Sequence, residues 1–378
     1  MKVPYNYLPM QFLNHDAIIA EWEKLILSTE FTLGSYVENF EKEFAKFIGC
    51  KHVIGTNTGT DALILALKAL GIGPGDEVIS VPTTFFATIG AIIAVGARPV
   101  FVDIDDRYQI NAHLIPAAIS SKTKAILPVH WGGAAPDMKA IMNLANSHGL
   151  KVIEDACMAP GGRINNQRSG TFGHVNAWSM HPLKPLNVMG DGGMVSTDND
   201  DLAEWMRMYR NHGMINRDHN SIWGVNMRLQ PLQAIVASYI LKTVDETVKA
   251  RNKNAQMLDD GLKTLAPFVK IPPRPKCYRD TFSLYMVRFE KRDELVKYLN
   301  ELGIEVKIHY PIPLHLQKAA KPLGYKEGDF PVSEAYAKEV LTIPAHQFIT
   351  PEQIEYILEH IRDFYIKNPS FYIEKIRQ

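Results

Sequence analysis

Cysteine is scarce. The 378-residue chain holds three, Cys50, Cys157 and Cys277, odd in number and far apart. Neither a disulfide framework nor a zinc-binding spacing can be built from them. That scarcity leads us to expect a reducing cytoplasm and no metal centre. Net charge is also missing: Lys+Arg and Asp+Glu are both 41, which removes any electrostatic pull toward nucleic acid or an anionic membrane. Long apolar runs are absent. The longest, near Phe85 to Val95, is about half of the ~20 residues a membrane span needs. The opening stretch MKVPYNYLPMQF lacks the apolar core of a secretion signal, so no targeting segment is expected. Low-complexity tracts and internal repeats are missing as well. What remains is 46% hydrophobic and 22% charged residues, the make-up of a soluble globular chain with room for one large domain and a smaller one.

The pattern along the chain is an alternation. Asp16 to Leu27 and Val37 to Phe47 carry apolar residues at helical spacing, joined by a loop around Gly34. From His52 onward, HVIGT reads as a strand and TGTDALILALKALGIGPGDEV as a helix that stops at Gly and Pro. DEVISV, PVFVDID, KAILPVHW and KVIEDA are further strands, the last two separated by a helix from Pro136. Such alternation predicts an α/β fold with a parallel sheet covered on both faces, and a ligand site outside the carboxyl ends of the strands. Gln230 to Lys249 reads as one long helix. Ile271 to Phe282 is Pro-rich and irregular. A strand (Phe282 to Phe289), a helix (Asp293 to Leu302), a strand (Gly303 to Ile308) and two helices complete a smaller α+β unit. The expected division is residues 1–250 and 251–378.

One stretch concentrates chemistry. In WSMHPLKPLNVMGDGGMVST, Trp178 to Thr197, two β-like pieces flank a loop that places Lys184 between Pro182 and Pro185. Those prolines forbid a helix, and the turn Gly190 to Gly193 can adopt positive φ. A lysine held rigidly between strands can form an imine with a carbonyl compound; an ordinary surface lysine does not. Thr58-Gly59-Thr60-Asp61 opens a helix directly after a strand, a natural phosphate seat, although Thr60 and Asp61 could simply cap that helix. Asp155 ends the strand KVIED, either as a structural partner or as a carboxylate aimed at a ligand. Phe85, at another strand end, either stacks on a flat ring or packs in the core. Ser179, five residues before Lys184, faces the same region. A phosphate seat, an aromatic face, an acid at a strand end and an imine-forming lysine are the four requirements of pyridoxal 5′-phosphate. The acid would keep the ring nitrogen protonated by raising its basicity about 1–3 units, and the ring then serves as an electron sink. Burial would have to lower the lysine below its ordinary pKa of about 10.4 for it to act as a base.

These strings also resemble a known family. FTLGSYVENFEKEFAKFIG, TNTGTDALILALKALGIGPGDEV, FVDID, KVIEDA, HPLK…GDGGMVSTD and HYPIPLHLQ are similar, almost end to end, to the DegT-type sugar aminotransferases. The resemblance implies fold type I: a large domain with a mostly parallel mixed sheet between helices, and a smaller C-terminal α+β domain. It implies that Lys184 is the Schiff-base lysine, Asp155 the partner of the pyridine nitrogen, Phe85 the stacking aromatic, and Gly59, Thr60 and Ser179 the phosphate contacts. Asn226, in GVNMRLQPLQA, would reach the phosphate of a neighbouring subunit, which implies a homodimer with shared active sites. On the residues alone, Asn226 and Arg228 would pass as a helix cap and a surface charge.

Two positions depart from the family pattern. Met158 stands where Gln usually lies near the ring hydroxyl, and Pro185 where Asn usually follows the lysine. Some members carry His in place of the lysine and dehydrate sugars; Lys184 argues against that chemistry here. His181, His212, Trp223, His309, Tyr310 and His315 are candidates for the substrate pocket, with His309 and Tyr310, in the Pro-broken loop HYPIPLHLQ, the ones retained. The resemblance implies L-glutamate as amino donor and an oxo-sugar as acceptor. HPLKPLNV and EDACM look closest to the branch that aminates C8 of an 8-oxo-3-deoxy-octulosonate for lipopolysaccharide; a nucleotide-linked 3- or 4-keto-hexose is the alternative. A pyridoxal-binding regulatory protein without turnover, and a structural α/β protein with an incidental lysine, are the readings of other classes.

Overall fold

The computed structural model of the chain describes residues 1–366. A seven-stranded sheet forms its centre, in the order His52–Thr56, Gly193–Thr197, Val175–Ser179, Lys151–Asp155, Thr123–Ile126, Glu77–Ser80, Arg98–Phe101. Gly193–Thr197 runs antiparallel to both of its neighbours, and the remaining adjacent pairs are parallel. The sheet is therefore mixed and mostly parallel. Val175–Ser179 and Gly193–Thr197 are buried at every residue, as strands covered on both faces should be.

Helices cover that sheet because their apolar residues fall on one side. Ser35–Ile48 buries Val37, Phe40, Phe44 and Ile48 at spacings of three and four, with Phe44 set edge-on against Trp178. Each such phenylalanine stabilises the fold by about 1.5–3 kcal/mol. Gly59–Ala69 starts directly after the first strand. Its cap is Thr58, whose side chain accepts from the Asp61 N–H, not Thr60 or Asp61, because only residue 58 has the extended backbone that turns its oxygen back over the first turn.

Several expected elements differ in extent. The single helix expected from Gln230 to Lys249 is two, Pro231–Leu241 and Val244–Leu262. The break falls at Thr243, which leaves helical geometry (φ −116°, ψ 5°) while its hydroxyl bonds the Ile240 carbonyl at 3.1 Å. The strand KAILPVHW is cut to Thr123–Ile126, since Pro128 has no N–H to continue a ladder; the extended chain beyond it delivers His130 and Trp131 toward the strand ends. Gly303 to Ile308 makes only isolated bridges, Ile304 with Val3 and Lys307 with Thr342. The amino-terminal residues occupy its edge: Val3 N–H donates to Gly303 and Glu305 N–H donates back to Val3.

A second sheet, Val269–Lys270, Tyr285–Phe289 and Val340–Ile343, is antiparallel. It packs with Val244–Leu262, Arg292–Glu301 and Pro351–Ile366 around a core of its own that includes Tyr285, Phe289, Leu295, Ile357 and Ile361. Residues 367–378 of the expected second unit lie outside the described residues.

Candidate active site

A cavity of about 470 Å³ lies at the carboxyl ends of the central strands, within the range of small-molecule sites. Gly59, Thr60, Phe85, Asp155, Ser179, Lys184, His309 and Tyr310 all border it, as does Met158. Residues separated by up to 251 positions in the chain thus converge through the sheet topology. Of the other substrate candidates, His181 borders it too, while His212, Trp223 and His315 do not. Trp223 is 90% exposed, and His315 is buried against Glu334 at 3.0 Å. Asn226 also lies away from the cavity; it is exposed, and its amide oxygen accepts from Arg228 Nε at 2.9 Å.

Lys184 is held by its backbone. Its N–H donates to the His181 carbonyl, and its own carbonyl accepts from Asn187 Nδ2 at 2.8 Å and from the Tyr7 hydroxyl at 3.3 Å. Asn187 is fixed in turn by a reciprocal amide pair with Gln11. Pro185 is buried in this turn. In the following Gly190 to Gly193 turn, only Gly190 takes a positive φ, +135°. Burial lowers the Lys184 ammonium from its ordinary value, partly opposed by Cys157 and Asp155 nearby. That is the direction a lysine base needs.

Asp155 is 5% exposed, at the last position of Lys151–Asp155. Its backbone is locked on one side, donating to Pro128 and accepting from His130. One carboxylate oxygen accepts from Thr88 Oγ1 at 2.8 Å, and Thr88 is joined to Thr84 Oγ1 at 2.8 Å; the other accepts from Cys157 N–H at 3.3 Å. No cation pairs with this carboxylate among the described residues. The preceding Glu154, fully buried, accepts from His130 Nε2 at 2.7 Å and from the N–H groups of Gly170, Phe172 and Gly173, which pins the strand end.

The amino end of Gly59–Ala69 abuts Ser179. A Cβ on Gly59 would lie 2.7 Å from Ser179 Cβ and 3.1 Å from its hydroxyl oxygen. Glycine is therefore required there to leave the helix N–H groups and a serine hydroxyl side by side, a cradle suited to an anion. Phe85 is not at a strand end as expected: the strand stops at Ser80, and Phe85 is the residue that opens helix Phe86–Ala94. It is 48% exposed, with the Tyr310 ring tilted 6.3 Å away, so its ring is open to the cavity rather than part of the core. His309 is driven down to about 4, first by burial and then by Lys184 and Lys307; it is neutral near pH 7 and pairs with Thr342 Oγ1 at 2.8 Å.

Several bordering residues were invisible to sequence reasoning: Tyr5, Tyr7, His130, Thr88, Arg251 and Ser283. Tyr5 and Tyr7 stand in the amino-terminal stretch, where a lone aromatic carries no signal. The spacing Thr84 to Thr88, running into the apolar helix Phe86–Ala94, was the one available hint.

Together the cavity holds an anion cradle, an open aromatic ring, an unpaired carboxylate at a strand end and a desolvated lysine. That donor set fits pyridoxal phosphate. The DegT/DnrJ/EryC1/StrS aminotransferase family model matches residues 14–362. The chain is 41% identical over 368 residues to a pleiotropic regulatory protein of Geobacillus stearothermophilus, covering 97% of this chain and 99% of the relative. It is 40% identical over 348 residues to the UDP-N-acetyl-3-dehydro-alpha-D-glucosamine 3-aminotransferase of Acidithiobacillus ferrooxidans, covering 92% and 93%. Among solved structures it superposes on Streptomyces venezuelae DesV, in complex with a ketimine intermediate, with a TM-score of 0.93, 37% identity and 96% and 98% of the two chains covered. Bacillus subtilis NtdA, solved with bound cofactor PMP, gives 0.88 at 30% identity, covering 96% and 84%. Fold, site and kinship agree: the chain belongs to the DegT/DnrJ/EryC1/StrS aminotransferase family and is a pyridoxal-phosphate-dependent enzyme of fold type I.

Proposed function

We propose that this enzyme transfers an amino group from L-glutamate to the keto carbon of a nucleotide-linked sugar. The observation that carries the reading is the convergence of Lys184, Asp155 and the Gly59–Ser179 cradle on one cavity. The named activity of the Acidithiobacillus relative, on a UDP-linked 3-dehydro sugar, supports a nucleotide-linked 3-keto or 4-keto hexose over the 8-oxo-octulosonate, which rests on HPLKPLNV and EDACM alone.

Pyridoxal phosphate, when bound, supplies an electron sink for negative charge at the substrate carbon. The helix N–H groups at Gly59 and Thr60, with the hydroxyl of Ser179, would hold its phosphate. Phe85 would stack on the ring, and Asp155, oriented by Thr88, would hold a proton on the ring nitrogen. Lys184 Nζ would anchor the cofactor, and its free amine, made less basic by burial, would take the proton from the donor's α-carbon. Met158 leaves the ring hydroxyl without the usual amide partner. His309 and Tyr310 form a wall for the sugar. Asn226, exposed and outside the cavity, serves the phosphate of a second copy in a homodimer with shared sites. We read residues 1–250 and 251–378 as two domains that meet at this cavity.

The test is a panel of acceptors offered to glutamate-loaded protein, following the absorbance of the cofactor's aldehyde form. Nucleotide-linked keto-hexoses should restore it; restoration by 8-oxo-octulosonate alone would overturn the assignment. Loss of colour on adding glutamate separates this reading from a pyridoxal-binding regulatory protein without turnover; the Geobacillus relative is named a pleiotropic regulatory protein.

A further inference from the structure

Arg251 is 1% exposed, lies in Val244–Leu262 and borders the same cavity. Its Nε donates to Gln347 Oε1 at 3.0 Å and Nη1 to the Phe282 carbonyl at 3.3 Å, while Nη2 is buried without a hydrogen-bond partner among the described residues. The Tyr7 ring lies 5.1 Å from the guanidinium carbon. None of these partners carries a negative charge. A guanidinium stays ionised at any ordinary pH, and burying it against neutral groups alone is costly. The aromatic face offsets only part of that cost.

Two further facts narrow the occupant. Ser283 Oγ, bordering the same cavity, is also buried without a hydrogen-bond partner. Tyr7 touches Arg251 with its ring and the Lys184 carbonyl with its hydroxyl, so one side chain links the cation to the backbone of the reactive lysine. We infer that Arg251, with Ser283, is the seat for a carboxylate of the amino donor. A carboxylate supplies the missing countercharge and accepts from both unpaired donors. A sugar diphosphate could meet the same charge. However, it brings a nucleoside and a hexose along with it, and a 1%-exposed guanidinium under Tyr7 suits a small terminal group. The seat then selects an anionic amine over a neutral one and empties when the oxo-acid product leaves.

The inference rests on the transaminase reading, so its test separates the two. Holoenzyme is titrated calorimetrically with glutarate, a dicarboxylate that cannot react, and with inorganic phosphate, in wild type, Arg251→Gln, Arg251→Lys and Ser283→Ala. Arg251→Gln should weaken glutarate about 10- to 100-fold, the loss of a charge-assisted hydrogen bond, with partial rescue by Arg251→Lys and a smaller loss in Ser283→Ala. The KM for glutamate should rise by the same factor, while the half-reaction of amine-loaded enzyme with the oxo-sugar keeps its rate. Equal glutarate affinity in wild type and Arg251→Gln overturns the inference. So does an equal slowing of both half-reactions, or phosphate binding more tightly than glutarate. If Arg251→Gln does not fold, unchanged glutarate affinity in both Arg251→Lys and Ser283→Ala overturns it. Wild type that binds glutarate but never consumes glutamate would refute the transaminase and leave the seat standing. Normal transamination with Arg251→Gln unimpaired would do the reverse.

Discussion

The cavity has two walls built in different ways. One is made of strand ends and the turn between two adjacent strands: Gly59, Asp155, Ser179 and Lys184 each sit within a residue or a short loop of the central sheet, and backbone hydrogen bonds hold them. The other gathers Tyr5, Tyr7, Arg251, Ser283, His309 and His346 from segments hundreds of residues apart. Side chains stitch that wall together: His346 Nε2 donates to the Pro4 carbonyl at 3.1 Å, Asn254 Nδ2 to the His346 carbonyl at 2.9 Å, and Tyr5 N–H to Glu305 Oε2 at 3.0 Å. The comparison teaches that the groups proposed to react are placed by the sheet itself. The groups that would discriminate substrates hang on tertiary contacts that can drift without disturbing the chemistry.

If that is right, damage to the strand-end wall should cost rate, and damage to the other should cost selectivity. The largest effect belongs to Lys184→Ala, which should keep the fold, because the backbone bonds to Tyr7 and Asn187 survive. Turnover should fall by more than about 10⁴-fold. Borohydride reduction followed by mass spectrometry should label the wild-type peptide spanning His181 to Leu186 and not the variant's; a variant with near-normal turnover would remove the base from the scheme.

Asp155→Asn comes next. Loss of the carboxylate forfeits about 1–3 units of ring-nitrogen basicity, so the single-turnover rate with glutamate should drop about 10- to 1000-fold. Thr88→Val, which removes only the hydrogen bond that orients Asp155, should give a smaller decrease of about tenfold. A Thr88→Val effect larger than that of Asp155→Asn would mean that Thr88 acts on something else.

Gly59→Ala tests the cradle. With its Cβ 2.7 Å from that of Ser179, the variant should lose about 1–3 kcal/mol of stability through overpacking and release cofactor more readily on dialysis. Unchanged retention would place the anion elsewhere.

The mildest test concerns the second wall. His309 is lowered to about 4 from 6.5 in the folded state, so between those values the unfolded chain binds more protons. Its contribution to stability is therefore whole above about pH 6.5 and is lost as pH falls toward 4, by roughly 3 kcal/mol at most. His309→Gln should flatten that part of the melting-temperature profile. Equal slopes in both proteins would show that His309 is as solvated as an ordinary histidine.

Legibility divided along the same line as the walls. The strand-end residues could be read because β/α alternation is a local pattern, and strand ends in such sheets collect on one edge; once KVIED and HVIGT were strands, Asp155 and Thr58–Asp61 had to face a common space. Arg251, just beyond the helix expected to end at Lys249, gave no local signal, since its burial depends on Gln347 and Phe282 folding over it. The break at Thr243 was equally hidden. Thr243 is weakly unfavourable to a helix wherever it stands, and only the packing on either side decides that the chain turns there.

By itself the amino-acid order settled the alternation of strands and helices and the family, and singled out Lys184 as a candidate, because apolar period, turn residues and motif strings act over a few neighbouring positions. Tertiary structure alone decided which face of Val244–Leu262 carries a buried cation and how the first seven residues reach the Lys184 backbone. Those outcomes depend on contacts across 177 positions between Tyr7 and Lys184, or 96 between Arg251 and Gln347. No local pattern encodes such contacts; they form only once the chain's entropy has been overcome by the burial of several separate apolar cores.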